Sequence, residues 1–146
     1  MAKEIDFPPV WLAGFAAAGG LLGLIYPVPT PVNDVLGPVL VVLGILLMLV
    51  ALGQMVLART TFIPRRDPAA LVRTGVFRFS RNPIYLADVL VLAGLLIAWD
   101  ALIALPLVPV FMSVVSRRFI REEEARLSDH FGEDFDDYRQ ATRRWL

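Results

Sequence analysis

The sequence predicts an all-α, polytopic membrane protein with about four transmembrane helices, including a C-terminal helical hairpin, and a cytoplasmic C-terminal helical arm. Of its 146 residues, 57% are hydrophobic and 19% are charged. The mean hydropathy of +0.64 is too high for an ordinary soluble domain. The apolar residues form long blocks, and the arginines cluster in two segments outside those blocks. These observations predict one integral membrane domain over residues 1–146.

Two apolar blocks form the N-terminal half. Residues 35–58 carry no charge over 24 positions, enough to cross a bilayer core of roughly 30 Å at about 1.5 Å per residue. Residues 10–26 form a second uncharged block of 17. Its Gly19 and Gly23 have the small-xxx-small spacing that allows a neighbouring helix to approach closely. The same glycines are also compatible with a helix that merely tolerates them.

A helical hairpin is predicted to follow. Residues 84–99 and 101–116 are apolar blocks of 16 residues each, separated by Asp100, which we expect in a tight polar turn. Blocks this short fit either two crossings or a re-entrant hairpin. Pro106 and Pro109 are expected to kink the second helix of the pair.

The arginines predict the orientation. All 13 lie either between Arg59 and Arg81 or from Arg117 onward. The positive-inside rule therefore places segments 59–83 and 117–146, and both termini, in the cytoplasm. We expect the inner membrane of a bacterium or an archaeon, with the lipid bilayer itself as a partner.

Composition excludes several functions. The formal net charge of zero gives no basic field for nucleic acid. The chain has no Cys and one His, so neither a thiolate site nor a His-rich metal centre is expected. No metal is therefore predicted.

Glu123 is the first candidate site residue. On a helical wheel it lies on an apolar stripe with Phe119 and Leu127, where an unpaired charge is costly. It either forms an ion pair with Arg126 or with a loop arginine, or holds a cationic or hydroxyl-bearing ligand.

A second group of candidates lies where the loop meets the third block. Asn82 and Pro83 match the N-cap and first residue of a helix, and a helix N-terminus beside Arg81 attracts anions. Opposite Glu123, this arrangement would suit a zwitterionic ligand. Asp88 is an acid inside the third block and either serves a function or reaches back to a loop arginine.

Three segments together resemble the isoprenylcysteine carboxyl methyltransferase family and the related phospholipid methyltransferases. They are LVRTGVFRFSRNPIYL (71–86), REEEARL (121–127) and FGEDFDDY (131–138). The shared pattern is Leu-Val-x-x-Gly-x-(Tyr/Phe), Arg-(His/Asn)-Pro-x-Tyr, a hairpin, Glu-Glu-x-x-Leu, then Phe-Gly and Tyr. The resemblance covers about residues 60–146 and implies an integral membrane methyltransferase that uses S-adenosylmethionine.

The resemblance also implies site residues. Arg117 and Glu123 are carried over as catalytic residues. The implied cofactor-binding residues are Ala69, Ala70, Leu71, Val72, Phe77, Asn82, Pro83, Ile84, Tyr85 and Glu123. This chain departs from the family at Asn82, where many members have His, and at Ala87, which replaces a common Gly.

The implied acceptor is lipid-like or otherwise amphiphilic and carries a carboxylate, an amine or a thiol. An amine would have to lose a proton, which Asp88 or Glu123 could accept. Two alternative functions remain open at this point. One is an NADPH-dependent membrane reductase, because sterol reductases look similar in the hairpin region. The other is a non-catalytic scaffold or transporter subunit.

Overall fold

A computed structural model describes residues 6–63 and 65–146, and within these ranges the chain forms helices and no strand. The predicted all-helical fold is confirmed. The α-helices are α1 (Pro8–Ile25), α2 (Asn33–Leu57), α3 (Pro83–Ala98), α4 (Leu107–Val115), α5 (Arg121–Phe131) and α6 (Glu133–Ala141). Short 3₁₀ turns cover Gly75–Arg78 and Leu102–Ala104, and a π-helical turn, Ser116–Ile120, joins α4 to α5.

Among the residues that the structure describes, three stretches are long and apolar enough to cross a membrane: Pro8–Ile25, Asn33–Leu57 and Leu102–Phe131. α3 is shorter but is the central helix, because it packs against α1, α2 and α4. Its buried residues occur on every side, including Leu92, Leu96 and Ile97. α2 leaves most of its large apolar side chains exposed, as expected for a helix that faces lipid.

The fourth block is not one continuous α-helix: the 3₁₀ turn Leu102–Ala104 ends shortly before Pro106, and α4 begins directly after Pro106. Pro106 is the N-cap of α4 and Pro109 lies in its first turn. The first N–H groups of a helix have no acceptor within it, so prolines at these positions remove no hydrogen bond. A second irregularity is the π-helical turn Ser116–Ile120, which contains neither Pro nor Gly.

Glycines set the closest helix contacts. A Cβ atom on Gly19 would overlap Leu96, and one on Gly23 would lie 2.6 Å from the Ala101 Cβ, so this spacing does serve close packing. A second contact, between α2 and α3, was not predicted. There a Cβ on Gly94 would lie 2.7 Å from the Gly37 carbonyl oxygen.

The predicted polar turn at Asp100 is present and is fixed by a residue of α2. Asp100 adopts φ 56°. The Asn33 Nδ2 atom donates to the Asp100 Oδ1 atom and to the Val28 carbonyl, both at 2.8 Å. The buried Asn33 amide therefore ties the α1–α2 connection to the turn of the hairpin.

Candidate functional site

A cavity of about 410 Å³ lies at the opposite end of the helices from Asp100. It is walled by the start of α1, one stripe of α2, the α2–α3 loop, the first turns of α3, and α5. Its volume falls in the usual range for small-molecule sites. The α1 and α2 walls consist of Phe7, Pro8, Pro9, Met48, Leu52 and Met55.

Gln54 of α2, the one strongly polar side chain of the apolar block 35–58, positions the loop. Its Nε2 atom donates to the Thr74 carbonyl at 3.0 Å, and its Oε1 atom accepts from the Val76 N–H at 3.0 Å. Gly75, which lies between these two residues, adopts φ +58°, and a Cβ there would overlap the Gln54 amide. The absence of a Cβ at Gly75 therefore allows the Gln54 side chain, near the end of α2, to bind the backbone of this turn.

Replacing Gly75 with Ala is expected to destabilise the protein by about 2 kcal/mol, because it combines a left-handed backbone with a clash. The control is Gly75→Ala in a Gln54→Ala background, which keeps the backbone strain but removes the side chain that the new Cβ would overlap. Thermal unfolding in detergent should show a smaller loss from Gly75→Ala in that background than in the wild type. Equal losses in the two backgrounds would contradict a role for the contact with Gln54.

The buried Glu123 carboxylate accepts a hydrogen bond from a hydroxyl group. The Tyr85 hydroxyl donates to the Glu123 Oε1 atom at 2.6 Å. The predicted ion pair is wrong: among the described residues Arg126 pairs with Glu122 and Asp67 instead. Burial raises the pKa of Glu123 to about 7, although the Tyr85 hydrogen bond and Arg126 oppose the rise. α5 is the polar C-terminal part of the helical stretch Leu102–Phe131. The Glu123 carboxylate therefore lines the cavity on the side of the charged segments 59–83 and 117–146.

Arg81 is one of four arginines that line the cavity; the others are Arg65, Arg66 and Arg126. The Arg81 Nη1 atom lies 3.4 Å from the Glu124 Oε1 atom. Glu124 is itself held by two hydrogen bonds from Arg144, at 2.9 and 2.8 Å. The Nε and Nη1 atoms of Arg81 are buried, and within the described part of the chain they make no hydrogen bond. Burial lowers the pKa of Arg81.

The end of the chain holds the loop in place. Asn82 is the N-cap of α3 as predicted, but its side chain makes no capping hydrogen bond. Its Nδ2 atom instead donates to the Arg144 carbonyl at 2.9 Å. The Arg81 N–H donates to the Arg143 carbonyl at 3.0 Å, and the Tyr138 hydroxyl donates to the Phe77 carbonyl. The last residues therefore brace the loop, a role the sequence did not indicate.

The start of α1 is tied to the same end. Asp6 accepts hydrogen bonds from Arg118, Arg65 and Trp11, at 2.9, 2.6 and 2.9 Å for the shortest contact of each. The hydrogen bond from Arg118, with those from Trp11 and Arg65, holds the pKa of Asp6 well below its usual range. This cluster links α1, the loop and the π-helical turn around the cavity.

Asp88 lies one turn beyond Tyr85 on α3 and is 4% exposed. It lines the cavity. The expectation that it reaches back to a loop arginine is wrong, since no ion pair joins it to an arginine in residues 6–63 or 65–146.

Most of the residues singled out by the sequence lie around this one cavity. The predicted residues that line it are Ala70, Leu71, Val72, Phe77, Asn82, Pro83, Ile84, Tyr85 and Glu123. Ala69 does not line it, and its N–H donates to Thr60 Oγ1 at 3.1 Å. Arg117 is exposed in the π-helical turn and also does not line it. The residues of α2 were missed, because a uniformly apolar helix gives no signal of which side faces a cavity.

A family model described as phospholipid methyltransferase matches residues 32–134, more than two thirds of the chain. The chain belongs to this family. The resemblance is thereby confirmed, and the matched region runs from the start of α2 into α6. Neither a curated protein nor a solved structure gives a match. Membership, together with the apolar helices, identifies an integral membrane protein of a methyltransferase family. Family membership favours a methyltransferase over the two alternatives, an NADPH-dependent reductase and a non-catalytic scaffold.

Proposed function

We propose that the protein is an integral membrane enzyme that transfers a methyl group from S-adenosylmethionine to a lipid-like acceptor at the cytoplasmic face. One observation carries the proposal. One cavity is lined by Arg81, by Glu123 and by the apolar wall of α2, so it brings a cationic side chain, a carboxylate and apolar surface together.

The residues present fit the donor. Its methionine part carries a carboxylate and an ammonium group, which match Arg81 and Glu123 in charge. Glu123 also suits the hydroxyl groups of a ribose. Leu71, Val72 and Phe77 offer apolar surface for the adenine ring. S-adenosylmethionine supplies an activated methyl group on a sulfonium that already carries its leaving group.

The protein's own contribution is binding, alignment and exclusion of water. Gln54 and residues 142–144 fix the loop, and Tyr85 fixes Glu123. Alignment of this kind lowers a barrier by several kcal/mol, of the order of 7 kcal/mol in favourable cases. The apolar wall keeps water from the reacting groups and strengthens the electrostatics inside the site.

An apolar rim supports an amphiphilic acceptor. Phe7, Phe62 and Ile63 line the cavity and remain 40%, 50% and 37% exposed. Exposed apolar surface beside a cavity typically marks contact with a membrane or a ligand. We infer that acyl chains enter past this rim while the headgroup reaches the polar end of the cavity.

The distribution of charge supports a cytoplasmic site. Asp6, Arg65 and Arg118 meet at the cavity end of the helices. The Asp100 turn at the other end carries no arginine. The positive-inside rule assigns the arginine-rich end to the cytoplasm.

Donor binding is expected to depend on pH. The ionised form of Glu123 binds an ammonium group, and its pKa is about 7. Affinity should therefore hold above that pH and fall by up to about tenfold per unit below it. Calorimetric titration from about pH 7 to pH 5 measures this. Glu123→Gln should abolish most of the slope, and a wild-type affinity that does not change over this range would contradict the role of Glu123.

A transfer assay tests the function itself. Purified protein is incubated with methyl-labelled S-adenosylmethionine and detergent-dispersed amphiphiles, or with short-chain analogues that carry the same headgroups. We expect label in the amphiphiles and little in the soluble analogues. NADPH binding without binding of S-adenosylmethionine would overturn the proposal in favour of a reductase.

A further inference from the structure

We propose that Asp88 binds the ammonium headgroup of the acceptor and accepts its proton, so that the nucleophile is an amine rather than a carboxylate or a thiol. The inference rests on the proposed methyl transfer and specifies its acceptor. It is carried by the position of Asp88 in the cavity.

Asp88 is a buried carboxylate that faces the cavity without a protein partner. It is 4% exposed and lines the cavity. Within residues 6–63 and 65–146 it takes part in no side-chain hydrogen bond and no ion pair. A charge held in such surroundings is costly unless a counter-ion or a hydrogen-bond donor reaches it. The cavity is the route by which a ligand cation can do so.

Apolar side chains of α2 lie near Asp88, where an amphiphile could bind with its headgroup at the carboxylate. Gly44 of α2 packs against the Ala87 carbonyl of α3, so the next turns of α2, with Met48 and Leu52, run beside the first turns of α3. Both of these α2 side chains line the cavity. An amphiphile whose tail lies against them would present its headgroup to Asp88.

The other carboxylate of the cavity is less suited to this role. Glu123 already accepts a hydrogen bond from the Tyr85 hydroxyl at 2.6 Å. It also lies on α5, beside the loop that we propose binds the methyl donor. Asp88 would also disfavour an anionic acceptor. A carboxylate or thiolate held against it in a poorly hydrated site would be repelled.

The reaction balances with these groups. The ammonium headgroup gives one proton to the Asp88 carboxylate and becomes a neutral amine. The amine lone pair then forms the new nitrogen–carbon bond to the methyl group, and the carbon–sulfur bond breaks. Its electron pair stays on sulfur, leaving a neutral thioether. The methylated product is an ammonium ion, and the Asp88 proton returns to water when the product leaves.

The test compares wild-type protein with Asp88→Asn, which keeps the shape of the side chain but cannot accept a proton. Two probes share one alkyl chain: a primary amine and an aminooxy compound, which is already neutral at physiological pH. We expect Asp88→Asn to lose at least about a hundredfold in amine methylation. Methylation of the aminooxy compound should be nearly unchanged, a rescue that a misfolded variant could not show.

Binding provides a second readout. Calorimetry should show that Asp88→Asn binds S-adenosylmethionine like the wild type but binds the primary amine more weakly. Asp129→Asn, a change at an exposed position of α5, should alter neither.

Three results would overturn the inference. If Asp88→Asn methylates the amine at the wild-type rate, Asp88 has no such role. If the wild type methylates a carboxylate or thiol of the same chain length and not the amine, the acceptor assignment fails while the proposed methyl transfer stands. If the wild type does not bind S-adenosylmethionine, the proposed function fails and the inference falls with it.

Discussion

Glu123→Gln is expected to weaken the binding of S-adenosylmethionine by about tenfold to a hundredfold. The substitution keeps the size of the side chain but removes the charge that we assign to the donor. Hydrogen bonds to charged groups contribute about 1.5–3 kcal/mol, which corresponds to that range. Equilibrium binding of labelled S-adenosylmethionine to the purified protein in detergent measures the change.

Glu122→Gln is the matched control for this prediction. It removes the same charge from the neighbouring position, but the Glu122 side chain is 44% exposed and does not line the cavity. Its ion pairs with Arg65 and Arg126 lie at the surface, where such pairs contribute little. Affinity should stay close to that of the wild type. Equal losses in both variants would mean that net charge, and not Glu123, is responsible.

Gly94→Ala is expected to destabilise the protein by about 3 kcal/mol. The new Cβ would lie 2.7 Å from the Gly37 carbonyl oxygen and from the Val41 backbone nitrogen. Both atoms belong to the backbone of α2 and cannot rotate away, so the two helices would have to separate. Overpacking of this kind typically costs 1–3 kcal/mol, and occasionally more. Thermal unfolding followed by circular dichroism in one detergent measures the loss.

Gly14→Ala is the control for this substitution. Gly14 also lies within a long apolar helix, but nothing lies within 4 Å of a Cβ added there. Because Ala favours a helix over Gly by up to about 1 kcal/mol, Gly14→Ala should be neutral or stabilising. The two substitutions therefore have opposite expected signs. A similar shift in both would show that helix propensity, and not the contact between α2 and α3, determines the outcome.

The helices could be predicted because uncharged blocks of this length have few other structures available in lipid. Their arrangement could not. α1, α2 and α3 are apolar on all sides, so no polar face indicates which helix is central, and the central position of α3 follows from packing alone. The α2–α3 contact depends on Gly37 and Gly94, which lie more than 50 positions apart in the chain.

The candidate site could be predicted in part. The loop and Glu123 were found because their short motifs recur in a fixed order. The partner of Glu123 was not, because a tyrosine hydroxyl satisfies a carboxylate as well as an arginine does, and a helical wheel does not distinguish them. The bracing role of residues 143–144 depends on their backbone carbonyl groups, which a residue of any type would supply.

Hydrogen–deuterium exchange with and without S-adenosylmethionine tests the central claim most directly, because it locates the bound donor. We expect slower exchange in residues 68–82 and in the first turns of α5, with no change around the Asp100 turn. Protection that is absent from both segments, or that appears only elsewhere in the chain, would contradict the proposed donor site.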